Sequence, residues 1–274
     1  MTIATLPRLL NTEFGLGAFN AVLLEHAEAI VDGAERAGSP VVVQISENCI
    51  RYHGSLAPIT SAVLAIARAA SVDVVVHLDH IEDTDFIREG VALGVTSVMF
   101  DASKLGYDAN VAATRSVVEF CHAAGVAVEA ELGEVGGKDG VHAAGARTVP
   151  AEARAFVEAT GVDALAVAVG TSHAMLNRVA SVDHLLIARL HQEVPVPLVL
   201  HGSSGLPDHE LRASIVSGMT KVNISTHLNG LFTSAIRTTL ERDSGLTDPR
   251  KYVKTGREAV ALEVARIIEL LGCP

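Results

Sequence analysis

Three histidines stand where long apolar segments of the sequence give way to polar residues. Apolar runs of this kind are typical of parallel strands covered on both faces, so we expect each histidine at the end of a buried strand. A single histidine at a strand end is more often a hydrogen-bonded structural residue. Three with a fourth position left open are a typical catalytic zinc arrangement, so together they favour metal binding. The segments are VDVVVHLDH (72–80), DALAVAVGTSH (163–173) and VPLVLHGSSG (196–205), and the histidines are His80, His173 and His201.

Carboxylates occupy similar positions in the sequence. Asp79 directly precedes the first of these histidines, while Asp101 and Glu131 end two further apolar segments. A carboxylate beside a metal ligand can act as a general acid or base, which makes Asp79 a catalytic candidate. Asp101 and Glu131 can pair with Arg or Lys or can contribute to a metal site, and the sequence leaves both interpretations open.

The other histidines have simpler interpretations. By strand alternation His77 faces away from His80, so we expect it to be packed or to support a ligand from behind. Five more histidines lie on predicted helices and are expected to be solvated, namely His26, His122, His184, His191 and His209.

Two turns rich in Gly and Ser predict an anion site. HGSSG (201–205) follows the seventh predicted strand and NIST (223–226) follows the eighth. Backbone N–H groups, hydroxyls and helix N-termini bind phosphate well, and eight-stranded barrels often hold phosphate at these two turns. Alternatively, Ser204 and Ser225 are only N-caps. The loop EVGGKDG (134–140) has no apolar anchor, so it either opens and closes over the site or is an ordinary surface loop.

The elements that must position these residues alternate between strand and helix. Eight alternations favour a closed (β/α)8 TIM barrel of the α/β class over a doubly wound sheet, and no G-x-G-x-x-G follows the first strand. Apolar periodicity predicts an additional C-terminal helix within 248–272, which either caps the barrel or packs on another subunit. No linker or repeat divides the chain, so we expect residues 1–274 to form a single domain. The predicted strands are 15–21, 40–46, 72–79, 95–101, 126–133, 163–170, 196–201 and 220–225.

In such a barrel the carboxyl ends of the strands form one rim, and this rim carries the chemistry. Residues far apart in sequence can therefore meet in one site. The polar residues expected at this rim are Ser46, Asp79, His80, Asp101, Glu131, the segment 170–173, His201 and the segment 223–226.

Composition excludes several functional classes. The chain has 274 residues, of which 49% are hydrophobic, and a net charge of −11 with no basic block. This argues against a nucleic-acid partner and against an anionic membrane. The odd number of cysteines, without a CxxC pair, is expected of thiols in a reducing compartment. No signal peptide and no membrane-spanning apolar run is recognisable, so a cytoplasmic protein is predicted.

The sequence resembles the class II, zinc-dependent fructose-bisphosphate and tagatose-bisphosphate aldolases from about residue 14 to 270. The resemblance implies that His80, His173 and His201 hold a catalytic Zn²⁺ and that Asp79 is the acid/base at the bond being cut. It also implies that Asp101 with Glu131 forms a secondary metal position. The motifs that carry it are VHLDH, MFDAS, VEAELGEVGG, ALAVAVGTSH, PLVLHGSSG, KVNIST and DPRKY.

The same resemblance implies a small sugar-phosphate substrate. A ketose phosphate would be cleaved reversibly to dihydroxyacetone phosphate and an aldehyde by a homodimer or homotetramer, with a monovalent cation near the phosphate. The expected substrate-binding residues are Ser46, Ala174, Gly202, Ser203, Ser204, Asn223, Ile224, Ser225 and Thr226.

The residues also suit this chemistry without the resemblance. Retro-aldol cleavage needs a base for the hydroxyl proton and an electron sink, which zinc supplies as a Lewis acid. Asp79 is the candidate base. No motif marks a Schiff-base lysine, although Lys221 lies in the last predicted strand.

Four positions depart from the pattern of the family. Ala174 stands where the family usually has Gly, which implies some crowding near the phosphate. Asp139, behind Lys138, stands where the mobile loop usually carries a catalytic Glu. Fructose-bisphosphate members often have Asp where Ser225 stands and a basic residue where Asn229 stands, so the acceptor end of the substrate is expected to differ.

The sequence is also compatible with three other functions. One is an aldolase for another sugar phosphate, of the ketose 1-phosphate or deoxy-keto-gluconate phosphate type. Another is a zinc hydrolase on the same barrel, which the absence of an H-x-H pair near the first strand disfavours. The third is a non-catalytic metal or sugar-phosphate binding protein, which would keep the histidines but tolerate the loss of Asp79.

Overall fold

The strands of this protein close into a barrel in a computed structural model that describes residues 3–10, 14–132, 147–171, 178 and 180–272. Each strand pairs in parallel with the next, and the first pairs with the last, which confirms the predicted TIM barrel. The strands are β1 (Leu16–Asn20), β2 (Val41–Ser46), β3 (Val74–Ile81), β4 (Ser97–Phe100), β5 (Ala127–Leu132), β6 (Ala164–Val167), β7 (Leu198–Leu200) and β8 (Met219–Ile224).

Helices cover the outside of the barrel. Their buried residues recur on one side and pack on the outward-facing side chains of the strands, as expected of α/β layers. In the described part of the chain, no helix is both long and apolar enough to cross a membrane. The helices are α1 (Leu6–Leu10), α2 (Leu24–Ala37), α3 (Glu47–His53), α4 (Ala57–Ala69), α5 (Thr84–Leu93), α6 (Tyr107–Ala123), α7 (Pro150–Thr160), α8 (His184–Glu193), α9 (Asp208–Ser217), α10 (Thr226–Arg242) and α11 (Pro249–Leu270).

The interior of the barrel is apolar at one end and polar at the other. At the amino ends of the strands, small apolar side chains such as Ala18 and Val75 form a cluster with Leu6, Leu9 and Leu10 of α1. Backbone N–H of Ala4 donates to Val74 O over 3.0 Å, which fixes this segment against β3. The short helix α1 therefore closes the amino end, and the buried polar residues occupy the other half.

Two local predictions are wrong. The segment with Arg51 and His53, predicted as a loop, is the helix α3, which Ser46 caps by accepting from Cys49 N over 3.2 Å. His26, predicted to be solvated, is 4% exposed, because α10 covers this side of α2 and brings Phe232 within 4.4 Å, centroid to centroid. Burial lowers the pKa of His26.

The predicted C-terminal helix is α11, and it packs along α2 and α10 on the outside of the barrel. The contact with α2 is close because Gly33 has no side chain. A Cβ at this position would lie 2.6 Å from the backbone oxygen of Ala261 and 2.7 Å from Cβ of Val264. These distances are too short for real contacts, so the spacing of the two helices depends on this glycine.

We expect Gly33→Ala to lower the free energy of unfolding by about 1–3 kcal/mol, because the added methyl group overpacks the contact with α11. Gly230→Ala is the matched control: it changes an exposed glycine of α10 with no atom within 4 Å of the added Cβ. This control should raise stability by about 0.4–1 kcal/mol. Denaturant unfolding of both variants checks the opposite signs, and equal stabilisation by both would contradict the close contact.

Candidate active site

Three side chains that can bind a metal converge at the carboxyl end of the barrel. Ligand atoms of His80, Glu131 and His201, from the ends of β3, β5 and β7, all lie within 4.8 Å of one another. The two imidazole rings are 4.7 Å apart, centroid to centroid, and Nδ1 of His201 is 3.2 Å from Oε2 of Glu131. Two imidazoles and a carboxylate, mostly buried, form a donor set that fits a divalent transition metal.

His80 reaches this cluster because β3 is irregular at its end. The register between β3 and β4 shifts between Leu78 and Ile81, and His80 has a φ of 50°. A positive φ is uncommon for any residue other than glycine, and such strain is concentrated at functional sites. The prediction that His77 and His80 face opposite sides is therefore wrong: simple alternation ends before His80, and both rings face inward.

Asp101 holds the other side of the His80 ring. Its Oδ2 lies 2.7 Å from Nδ1 of His80, and its Oδ1 accepts from Oγ of Ser103 over 2.7 Å. A carboxylate bound to one ring nitrogen directs the opposite nitrogen towards a metal. In this geometry Asp101 orients His80, while Glu131 is the carboxylate that joins the two histidines. The predicted pairing of Asp101 with Glu131 at a secondary metal position stays a prediction.

His201 is held from below by a buried ion pair. Its Nε2 lies 2.9 Å from Oε1 of Glu129, and Oε2 of the same carboxylate lies 2.7 Å from Nζ of Lys221. Burial alone lowers the pKa of His201, but the hydrogen bonds to Glu129 and Glu131 outweigh it and raise this pKa to about 9. Burial likewise raises the pKa of Glu129, but Lys221 and then His201 outweigh it, so the pKa is lowered and Glu129 is ionised.

Asp79 lies beside the metal cluster and is held by two amides. Nδ2 of Asn20 donates to its Oδ2 over 2.7 Å, and Nε2 of Gln44 donates to its Oδ1 over 2.7 Å. The residue is only 4% exposed. Burial raises its pKa, but the neighbouring His80, then His201, outweigh this effect and lower it. Asp79 is thus ionised and fixed in orientation, as a proton acceptor must be.

The two turns predicted to bind phosphate are adjacent. Oγ of Ser203 donates to the carbonyl oxygen of Asn223, and backbone N–H of Ser225 donates to Oγ of Ser204 over 3.2 Å. Gly202 has a φ of 66°, which lets the chain turn directly after His201. Thr226 begins α10, and the Ser225 side chain makes no capping hydrogen bond, so the simple N-cap interpretation does not hold for Ser225. Ile224 is buried in the hydrophobic core.

Some predicted residues are not brought into the site by the described structure. His173, Ala174 and Asp139 lie outside the described residues. The hydroxyl of Ser46 caps α3, so its predicted contact with substrate stays a prediction.

Sequence reasoning missed four residues of this site: Asn20, Gln44, Glu129 and Lys221. Each is polar and faces inward on its strand, and Gln44, Glu129 and Lys221 are fully buried. The sequence did contain a signal for them, because each is a polar residue that interrupts an apolar strand. Gln44, Glu129 and Lys221 each lie two positions before a predicted rim residue, and Asn20 lies on a neighbouring strand. His77, by contrast, was predicted to be packed, and it is fully buried with its Nδ1 2.8 Å from Oγ of Ser97.

Comparison with known proteins agrees with this geometry. The family model for fructose-bisphosphate aldolase class II matches residues 3–274. A fructose-bisphosphate aldolase of Thermus caldophilus is 38% identical over 286 aligned positions, which cover 94% of this chain and 93% of that protein. The crystal structure of the YdjI aldolase of Escherichia coli K12 superposes with a TM-score of 0.87 at 29% identity, covering 99% of this chain and 98% of the other.

A more distant relative shares the fold. Fructose-bisphosphate aldolase of Campylobacter jejuni, at 21% identity, has a TM-score of 0.82 and covers 97% of this chain and 92% of the other. The match of the family model along almost the whole chain decides the assignment. This chain belongs to the class-II fructose-bisphosphate aldolase family and is an aldolase, a carbon–carbon lyase.

Proposed function

We propose that this enzyme reversibly cleaves a ketose bisphosphate, of the fructose 1,6- or tagatose 1,6-bisphosphate type, to dihydroxyacetone phosphate and an aldehyde. The observation that carries the proposal is the position of ionised Asp79 beside the cluster of His80, Glu131 and His201. A base and a metal site at the same rim are the two components that retro-aldol cleavage requires.

We assign the metal as Zn²⁺, with His80 and His201 as ligands and His173 as the third. Two histidines and a carboxylate suit zinc better than calcium or magnesium, which prefer oxygen ligands alone. Zinc bound here would polarise the ketone and so stabilise the negative charge left after cleavage. Glu131, with Asp101 behind His80, would provide the secondary metal position.

Asp79 is the proposed acid/base. Asn20 and Gln44 each donate to one of its oxygens, so the carboxylate has a fixed orientation and keeps lone pairs for a substrate hydroxyl. In the cleavage direction it takes the proton of the hydroxyl at the bond being cut, and in synthesis it returns this proton. Asp139, from the loop 134–140, is proposed to handle the proton at the donor carbon.

The phosphate of dihydroxyacetone phosphate is proposed to bind at the turns 202–204 and 223–226, with Ser46 and Ala174 nearby. Both turns offer hydroxyls and backbone N–H groups, and α10 adds the positive end of its dipole. Oδ1 of Asn223 is buried and has no hydrogen-bond partner in the described part of the chain. This oxygen is a candidate ligand for the monovalent cation proposed beside the phosphate.

We also propose a cytoplasmic enzyme that forms a homodimer or homotetramer. Cys49 and Cys121 are buried free thiols, which suits a reducing compartment. Light scattering in solution measures the oligomeric state directly.

If a divalent metal supplies the electron sink, a chelator should abolish cleavage, and zinc or cobalt should restore it. Borohydride added with substrate should trap nothing on a lysine, because Nζ of Lys221 is fully buried and bonded to Glu129. Cleavage assays before and after chelation, with mass spectrometry of the borohydride-treated protein, make the test. Full activity of the metal-free protein is the contrary result.

Asp79→Ala should keep nearly all of the bound zinc and lower kcat by roughly 10²–10⁴-fold, the usual cost of a lost general acid/base. His80→Ala should instead lose zinc, because a metal ligand is removed. Metal content and kcat are measured on both folded variants. Equal zinc contents in the two variants would show that the roles of Asp79 and His80 are assigned wrongly.

Discrimination for a second phosphate should be weak. Among the described residues, the candidate cations for it already pair within the chain: Arg178 contacts the carbonyl oxygen of Leu206 and Asp208, each over 2.7 Å, and Arg257 contacts Glu28 over 2.6 Å. Arg51 pairs with Glu47 and Arg250 with Asp248. Each strong charged contact to a phosphate contributes roughly 1.5–3 kcal/mol of binding free energy. Without such contacts to the second phosphate, the preference for a bisphosphate is limited.

We therefore expect kcat/KM for fructose 1,6- or tagatose 1,6-bisphosphate to exceed that for fructose 1-phosphate by less than about 10³-fold. All three substrates are compared with the same zinc-loaded enzyme. A larger ratio requires more than one charged contact to the second phosphate and would reject this prediction.

A further inference from the structure

A fully buried ion pair lies one layer below the proposed metal ligands. Nζ of Lys221, on β8, is 2.7 Å from Oε2 of Glu129, on β5, and both side chains have no exposed surface. The other oxygen of Glu129 is 2.9 Å from Nε2 of His201. The proposed acid/base, ligands and phosphate turns do not use either Lys221 or Glu129, so their presence inside the barrel needs its own explanation.

The pair determines which nitrogen of His201 carries a proton. An ionised carboxylate only accepts hydrogen bonds, so the Nε2 that faces Glu129 must carry hydrogen. When the ring binds a metal, the metal takes the place of the proton on Nδ1, so the lone pair is on this nitrogen, which faces the metal cluster, 3.2 Å from Oε2 of Glu131. A lone pair at this nitrogen is what a metal requires.

Lys221 ensures that Glu129 can do this. The ammonium group occupies Oε2, so only Oε1 is left for His201, and its positive charge lies 2.7 Å from the fully buried carboxylate. His77, in the same layer, adds no positive charge, because burial lowers its pKa to about 3. One cation therefore neutralises one anion directly below the metal ligand.

We propose, on the basis of the function proposed above, that Glu129 and Lys221 are positioning residues that hold His201 in the tautomer whose Nδ1 binds the metal. Stability alone does not account for the pair, since apolar residues of similar volume in place of a buried ion pair are often neutral or stabilising. The contact with His201 does account for it.

Glu129→Gln gives a prediction with a definite sign. The ammonium of Lys221 attracts the amide oxygen, which turns the amide NH2 towards Nε2 of His201. This favours hydrogen on Nδ1 and removes the lone pair that the metal needs. We expect zinc affinity to fall by about 10–100-fold, the range for lost partners of metal ligands.

Adding Lys221→Met to Glu129→Gln should restore much of the affinity. Without the ammonium, the amide can present its oxygen to Nε2 of His201 and hold the useful tautomer again. We expect the double variant to bind zinc within about tenfold of the wild type and more tightly than Glu129→Gln. Ser97→Ala is the matched control, because it removes a fully buried hydroxyl of the same layer that bonds His77 rather than His201.

Zinc dissociation constants are measured on folded protein by competition with a chromophoric chelator, alongside the melting temperature and the visible spectrum of the cobalt form. The expected result is weaker zinc binding and a changed cobalt spectrum in Glu129→Gln, partial recovery in the double variant, and an unchanged dissociation constant in Ser97→Ala. A merely structural pair would lower the melting temperature and leave the dissociation constant within about threefold of wild type, which would overturn the proposal. So would a double variant that binds no better than Glu129→Gln.

If Glu129→Gln does not fold, the apolar pair Glu129→Leu with Lys221→Met takes its place, since it leaves no unpaired charge. It provides no acceptor for Nε2, so zinc affinity should again fall by about 10–100-fold, and unchanged affinity would overturn the proposal. His201→Ala separates the two levels of inference. Wild type that binds zinc no better than His201→Ala rejects the proposed metal site itself, whereas tight binding by wild type and by Glu129→Gln rejects only the positioning role.

Discussion

A charge inside a closed barrel has no water to solvate it, so other side chains must neutralise and hydrogen-bond every charged group placed there. The carboxyl half of this barrel meets that requirement with one connected set of bonds, from Lys221 through Glu129 to His201 and Glu131. Asp79 is held next to it by neutral amides. The positions of His201 and Glu131, two of the proposed metal ligands, are therefore determined by the interior of the barrel.

The end of β3 is irregular because two neighbouring polar residues of this strand, Asp79 and His80, both lie on the inside of the barrel. Regular alternation would direct Val75, His77 and Asp79 inward and His80 outward, so one strand could not place both the proposed base and a proposed metal ligand inside. The register shift after Leu78 and the positive φ of His80 bring both to the inside. The strain costs of order 1–3 kcal/mol, which the bond from Asp101 to the imidazole helps to offset.

The order of elements and the polar rim could be predicted from the sequence, because apolar runs and the residues that end them are local signals. His80, His201 and Glu131 were found in this way and lie together. The inward turn of His80 could not be predicted, since it depends on pairing with β4, and neither could the burial of His26, since α10 covers it. Glu129 and Lys221 were missed because each is explained only by its ion pair with the other, and the two residues are 92 positions apart in the chain.

The two turns proposed to bind phosphate are supported by a second set of charges on the outside of the barrel. Nε2 of His227, at the start of α10, contacts Glu263 of α11 over 2.7 Å, and Arg266 links this carboxylate to Asp208 of α9. Burial raises the pKa of Glu263, but Arg266 and His227 outweigh it and lower this pKa to about 2, so the carboxylate stays ionised across the physiological range. Arg178 extends the set to the carbonyl of Leu206, just after the first of these turns. The C-terminal helix thus fixes the N-terminus of α10 from outside the barrel, which helps to keep the two turns in their relative position.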